Sequence, residues 1–153
     1  LRRVRMETSE LGMSRYYRGV TIGRRLDSAP AESFTNNGVG LKPFSPFDLR
    51  ATRDGSGNIT FTCQRRTRLA IRAIGTLGIS IPLGEDSEAY DWLIYASGSY
   101  ATLKRTLTST TPTVQYTSAQ QVTDFGSNQN PVYARVYQRS VQVGLGYKLE
   151  AAA

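Results

Sequence analysis

The sequence predicts an all-β fold, a sandwich or a barrel, for most of its length. Short segments in which apolar and polar residues alternate recur at intervals of about ten residues, and turn-forming Gly, Pro, Asp and Asn lie between them. Helix signals are few. With 153 residues, 39% of them hydrophobic and 20% charged, the chain is long enough for one ordinary domain, or for one domain plus an attached segment.

Residues 1–45 are predicted to form a connector that precedes the main domain. Candidate strands lie at Arg2–Met6 and Tyr16–Ile22, and the run "DSAPAESFTNNGVGLKPFSP" has the composition of a linker. We therefore expect the sandwich to span residues 46–150. Because the chain begins with Leu1, in "LRRVRMETSE", we also expect it to be a fragment of a longer protein.

Regular strand and turn patterns follow the linker. "FDLRA" precedes a turn at "RDGSGN" and the strand "ITFTCQRR", in which Ile59, Phe61 and Cys63 share one face. Further strands are predicted at "GISIPLGE", "AYDWLIYA", "YATLKRTLTS" and "TPTVQYT". "SAQQVTDFG" predicts a single helical turn capped by Ser118.

The last strand pattern, "VYARVYQRSVQVGLGY", changes its parity. Val132, Ala134 and Val136 form its apolar face, and after Ser140 the apolar positions shift to Val141 and Val143. A shift of this kind requires a β-bulge or the end of the strand. The whole predicted core comprises Leu49, Ile59, Phe61, Cys63, Tyr90, Trp92, Ile94, Leu103, Val114, Ala134 and Val136.

Several segments, in a fixed order, resemble one family of viral proteins. They include "RRTR" with Arg65, Arg66 and Arg68, "PLGE", "EAY" and "VYQRSVQVGLGY", within a match that covers about residues 16–150. This part of the chain is similar to the C-terminal region of phage tail-tip proteins of the host-specificity, or baseplate hub, family, which also occurs in gene transfer agents. The family has a Trp where Cys63 stands, and Trp92 would then fill that volume.

The resemblance implies a fibronectin type III-like sandwich and a place in the virion. It implies a structural component of the tail tip, made in the host cytoplasm, that contacts other tail-tip or baseplate proteins as a homotrimer or a ring. A module that binds a host receptor or surface polysaccharide is the alternative. A nucleic-acid-binding β-domain is a third hypothesis, which we disfavour.

Positive charge exceeds negative charge, with 19 Lys and Arg against 12 Asp and Glu and a net charge of +7. Such a balance admits nucleic acid, an anionic membrane or an acidic protein as partners. The cluster Arg65, Arg66 and Arg68 could neutralise phosphates. Because stacking platforms and a recognition helix are missing, solvated arginines, or pairs with Glu85, Asp86 and Glu88, explain it better.

The residue inventory argues against catalysis. The chain has no His and a single Cys, so the usual general base, the commonest zinc ligand and every Ser-His or Cys-His pair are absent. Glu85, Asp86, Glu88 and Asp91 lie close in sequence, but a small sandwich offers no glycosidase cleft and their spacing is not that of a calcium loop. We expect no catalytic, metal-binding or cofactor-binding residues, a buried Cys63, and no membrane span.

Tyr and Arg side chains remain as candidates for an interface, because both residue types are enriched at protein interfaces. The candidate residues are Tyr133, Arg135, Tyr137 and Arg139 on the last strand pattern, with Arg65, Arg66 and Arg68. Five further tyrosines are expected at the surface: Tyr16, Tyr17, Tyr95, Tyr100 and Tyr147.

Overall fold

A computed structural model describes residues 7–69 and 81–153 of the protein. The chain divides into two compact units, Leu1–Leu41 and Lys42–Ala153. The predicted start of the sandwich at Pro46 lies inside the second unit. The predicted strand Arg2–Met6 lies outside the described residues.

In the first unit, residues 7–41 contain one antiparallel hairpin. Strand β1, Ser14–Tyr17, pairs with β2, Glu32–Thr35, and short 3-10 helices occupy Thr8–Glu10, Leu26–Ser28 and Val39–Leu41. Two predictions were wrong here. The first strand ends at Tyr17 instead of Ile22, and "ESFT", predicted as linker, is β2. This segment forms a strand despite its polar composition because it pairs with β1. Between the two strands, Arg18 donates to the carbonyls of Leu26 and Ala29 (both 3.2 Å) and closes the loop.

The described residues of the second unit form seven strands and one helix. In chain order they are β3 (Phe47–Arg53), β4 (Ile59–Gln64), β5 (Tyr90–Tyr95), β6 (Leu103–Ser109), β7 (Thr113–Tyr116), α1 (Ser118–Phe125), β8 (Tyr133–Ser140) and β9 (Gly144–Ala152). One sheet has the order β3-β4-β7 and the other β6-β5-β8-β9, with every pair antiparallel. The prediction of an all-β fold is confirmed.

The hydrophobic core is supplied mainly by β4, β5 and β8. One row of side chains on each of these strands is buried in the core: Ile59, Phe61 and Cys63; Tyr90, Trp92 and Ile94; Ala134 and Val136. On β5, Asp91 and Tyr95 of the other row are also buried. The rings of Phe61 and Trp92 stack with centroids 6.3 Å apart. Full burial of large apolar side chains of this kind contributes about 1.5–3 kcal/mol each. Tyr116 and Val132 complete the cluster.

Leu103 is a wrong prediction within the core, because 48% of its surface is exposed. The register between β5 and β6 shifts where Ile94 opposes Arg105 but Tyr95 opposes Leu103. This bulge moves Leu103 to the outer face of the sheet, beside Tyr95, while Leu107 packs on the core. Leu49 and Val114, also predicted as core, are only partly buried.

The helix α1 is longer than the predicted single turn. It has eight residues, and its N-cap is Thr117 rather than Ser118, because the Thr117 hydroxyl accepts from the backbone N–H of Gln120 (3.2 Å). Gly126 ends the helix with φ of 81°, a left-handed conformation that glycine adopts without strain.

Three other local predictions have definite outcomes. The turn at residues 54–58 is confirmed: the Asp54 carboxylate accepts from the backbone N–H groups of Ser56 and Asn58 (both 2.9 Å). The parity change after Ser140 marks the end of β8. Of the predicted strand "GISIPLGE", residues 81–85 are not a strand, and residues 78–80 lie outside the described residues.

Two glutamines are fully buried in different ways. The side-chain amide of Gln121 donates to the carbonyls of Gly57 (2.9 Å) and Tyr116 (3.3 Å) and accepts from Gln129 N–H (3.2 Å). Gln138 lies on the core face of β8, opposite Tyr90, and its amide has no hydrogen-bond partner among the described residues.

This contrast predicts opposite effects of the same substitution. We expect Gln121→Met to lower the free energy of unfolding by about 1–3 kcal/mol, because it removes the side-chain partner of the buried Tyr116 carbonyl and of the Gln129 N–H. Gln138→Met should leave that free energy unchanged or raise it, because a group that costs energy to bury is removed. Chemical denaturation of the full chain measures both, and equal losses in the two variants would contradict the contrast.

Candidate interaction face

The outer face of the four-stranded sheet carries the Tyr and Arg residues of β8. Val132, Ala134 and Val136 are at most 1% exposed, and the intervening side chains point away from the core. The predicted alternation, with Tyr133, Arg135, Tyr137 and Arg139 outside, is confirmed. Their cross-strand neighbours on this face are Tyr95, Leu93 and Asp91 of β5, and Ala152, Glu150 and Lys148 of β9.

Arg135 is enclosed by partners from three neighbouring segments. Its Nε donates to Glu150 Oε1 (2.5 Å) and its Nη1 to the Tyr95 hydroxyl (3.1 Å). The guanidinium carbon lies 4.7 Å from the ring centre of Tyr95 and 4.9 Å from that of Tyr100. Its hydrogen bonds and ring contacts are therefore largely made within the domain.

The tyrosines beside Arg135 contact one another. Tyr100 packs edge-on against Tyr95, with ring centres 5.5 Å apart, and against Tyr133 at 6.2 Å. Gly98 lies on the Tyr133 ring, where an added Cβ would be 3.0 Å from Cε1. The surface position predicted for Tyr95 is wrong, since only 7% of it is exposed. Burial raises the pKa of the Tyr100 hydroxyl.

At the other end of β8, Arg139 pairs with Asp91 of β5. Arg139 Nη2 lies 2.5 Å from Asp91 Oδ2; the Arg139 side chain is 52% exposed and the Asp91 side chain 9%. The hydrogen bond that Arg139 donates to the Asp91 carboxylate raises the pKa of the Arg139 guanidinium. This pair leaves a charged side chain accessible on the face, unlike Arg135.

The second arginine cluster, Arg65, Arg66 and Arg68, follows the end of β4. Arg65 pairs with Glu88 (2.7 Å), and Arg68 with Glu85 (2.7 Å), as the sequence had suggested in preference to phosphate binding. Arg66 lies over the ring of Phe47 at 5.3 Å. Glu88 also accepts from the Tyr90 hydroxyl (2.8 Å).

The remaining reactive groups are held in structural roles. Cys63 is 3% exposed, as predicted, and burial raises the pKa of its thiol to about 12. Within residues 7–69 and 81–153, no cluster of three or more His, Cys, Asp or Glu side chains is arranged to hold a metal ion. A helix with the length and hydropathy of a membrane span does not occur in this same part of the chain.

Sequence reasoning missed Glu150, the carboxylate that pairs with two cationic side chains on this face. Glu150 accepts from Arg135 and, at 2.9 Å, from Lys148. Only the pairing of β8 with β9 places Glu150 opposite Arg135, so no local pattern marks it. Asp91 was considered only among clustered acids, although its partner is Arg139.

The topology of the second unit defines a class of domain. A three-stranded sheet β3-β4-β7 and a four-stranded sheet β6-β5-β8-β9, connected in this order, form a fibronectin type III-like sandwich. The chain is similar to domains d3–d4 of the rat CD45 extracellular region, with 12% identity and a TM-score of 0.47 over 100% of this chain and 70% of that one.

It is also similar to the FN5 domain of Drosophila Lar, with 15% identity and a TM-score of 0.40 over 72% of this chain and 96% of that domain. Neither a protein-family model nor a curated protein sequence matches the chain.

The ion pairs around Glu150 predict a titration that can be measured. Hydrogen bonds from Lys148 and then Arg135 hold the pKa of Glu150 below its ordinary value. A carboxyl of this kind contributes stability above its unfolded pKa of about 4.3, and the contribution is lost as the pH falls through the lower folded value. We expect Lys148→Ala to raise the pKa of Glu150, as followed by NMR of its carboxyl carbon.

Lys104→Ala provides the matched control, because Lys104 lies over the Phe125 ring instead. A pKa of Glu150 that is equal in both variants and in the unmodified chain would contradict the assigned cause.

Proposed function

We propose that the chain is a non-enzymatic structural module that works through protein–protein contacts. The observation that carries the proposal is the surface of the first unit. None of its described apolar side chains, between residues 7 and 41, is fully buried. The large exposed ones are Met13 (51%), Tyr16 (75%), Ile22 (101%), Leu26 (71%), Phe34 (51%) and Val39 (61%).

A hairpin of this size gains little stability by itself. Two-stranded hairpins are marginally stable in water unless a third strand or another packed element covers them. β1 and β2 have four residues each and bury no residue of their own. A neighbouring protein that covers these side chains would supply the apolar burial that the hairpin lacks.

The sequence resemblance suggests which neighbours these are. We assign the chain to the tip of a phage tail, or of a phage-like particle, where other tail-tip or baseplate proteins and further copies of this chain in a trimer or ring would cover the first unit. The sandwich of the second unit would then serve as the rigid part of the module, because its described strands bury a shared hydrophobic core.

The arginine pairs make nucleic acid the less suitable partner. In five of the described ion pairs of the second unit, an arginine contacts a carboxylate within the chain: those of Arg65, Arg68, Arg105, Arg135 and Arg139. Neutralisation of phosphates needs Lys and Arg charges that are free to approach the backbone. These five side chains would first have to leave their partners.

Hydrogen exchange tests the docking role of the first unit. In the isolated chain, we expect amides of Ser14–Tyr17 and Glu32–Thr35 to exchange much faster than those of Ile59–Gln64 and Tyr133–Ser140, because the hairpin opens locally. In assembled particles the hairpin amides should be protected by at least about tenfold more, since a covering partner lowers the population of the open state.

The sandwich strands serve as the internal control, because their protection should not depend on assembly. Equal protection of the hairpin in the isolated chain and in particles would contradict the docking role. Failure to find the chain in particles at all would contradict its placement in a tail tip.

A further inference from the structure

We propose that a cleft between β5, β6 and β8 binds a neutral sugar unit of a glycan. The cleft has a volume of about 470 Å3 and opens beside the Asp91–Arg139 pair. Ala89, Thr108, Ser109 and Thr110 form most of the remaining wall. This volume is within the range of about 300–1,000 Å3 that is typical of small-molecule sites. The site is distinct from the docking surface proposed for the first unit.

The Asp91–Arg139 pair offers a hydrogen-bond donor and an acceptor side by side. Among the described residues, only one carboxylate oxygen of Asp91, Oδ2, is hydrogen-bonded, and Arg139 uses one Nη2 donor for that contact. The guanidinium has five N–H donors in all, and the Asp91 carboxylate keeps acceptor capacity at Oδ1. Two adjacent hydroxyls of a sugar, each able to donate and accept, match this arrangement.

Charge balance favours a neutral ligand over an anion. The carboxylate of Asp91 lies 2.5 Å from the guanidinium of Arg139, so the opposite charges largely cancel at the cleft. An anionic group that approached Arg139 would be repelled by Asp91. Hydroxyl groups can bond to both members of the pair without separating them.

The wall of the cleft adds a hydroxyl group beside this pair. Thr108 opposes Asp91 from β6 and is exposed, and its hydroxyl can donate or accept.

The site is held in place by the sheet. Asp91 lies on β5, between β6 and β8, and the Arg139 backbone N–H donates to the Ala89 carbonyl (2.8 Å). Groups that are already ordered lose little conformational entropy when a ligand binds. A single open cleft of this size still implies weak binding, with a Kd on the order of 1 mM for one sugar unit.

Titration of the full chain by 1H–15N NMR tests the proposal. The probes are methyl glycosides of neutral hexoses and of N-acetylhexosamines, added to about 50 mM, well above the expected Kd. We expect saturable shifts for at least one probe, confined to amides near Asp91, Thr108 and Arg139. Arg139→Gln should weaken that binding by at least about tenfold, which corresponds to one lost charged hydrogen bond.

Two further variants provide a second test of the cleft and a control. Thr108→Val retains strand propensity at an exposed position and should weaken binding even if Arg139→Gln perturbs the fold. Arg50→Gln is the matched control, because Arg50 pairs with Asp48 on β3, in the other sheet, and its loss should leave Kd unchanged.

Methyl glucuronide, titrated in the same way, serves as an anionic probe. Three results would overturn the proposal: no saturable shift with any neutral probe, unchanged binding in both cleft variants, or tighter binding of methyl glucuronide than of every neutral probe. The hydrogen-exchange result for the first unit is independent of all three.

Discussion

The rest of the domain depends on one packing constraint, the burial of Phe61 against Trp92 between the two sheets. Both rings are fully buried, and they come from strands in different sheets. Because a strand alternates its side chains, fixing Trp92 inward also fixes Asp91 and Leu93 on the other side. Because β5 pairs with β8 in this register, Val136 also points inward and Arg135 outward. The composition of the outer face is therefore a consequence of the core.

Much of this could be predicted from local sequence patterns. The alternation in "ITFTC" and "VYARVYQ" is strict, and a half-buried strand is the structure that best satisfies it. The end of β8 at Ser140 could also be predicted, because a slip of one residue would bury polar side chains. In contrast, Leu103 was misplaced because the bulge between β5 and β6 depends on how two distant strands align. A local pattern contains no information on that register.

The candidate site shows the same division between local and distant information. The pairing of Arg65 and Arg68 with acidic residues could be predicted from the sequence, because those acids are close in the chain. The role of Glu150 could not be predicted, since it becomes a partner of Arg135 only through the β8–β9 ladder. β2 was missed for a related reason: "ESFT" is short and lies in a run rich in Pro, Gly, Asn and Ser, and its structure comes from its partner β1.

The contact of Arg135 with the rings of both Tyr95 and Tyr100 affects how this surface would respond to a neighbour. Long arginine side chains usually lose much rotational freedom when they are covered, and that loss opposes association. Here the guanidinium is already restrained by two rings and by Glu150. Covering the face would thus incur little of this entropic cost, although the arginine has few hydrogen bonds left to offer. Such a surface contributes shape more than charge to any contact it makes.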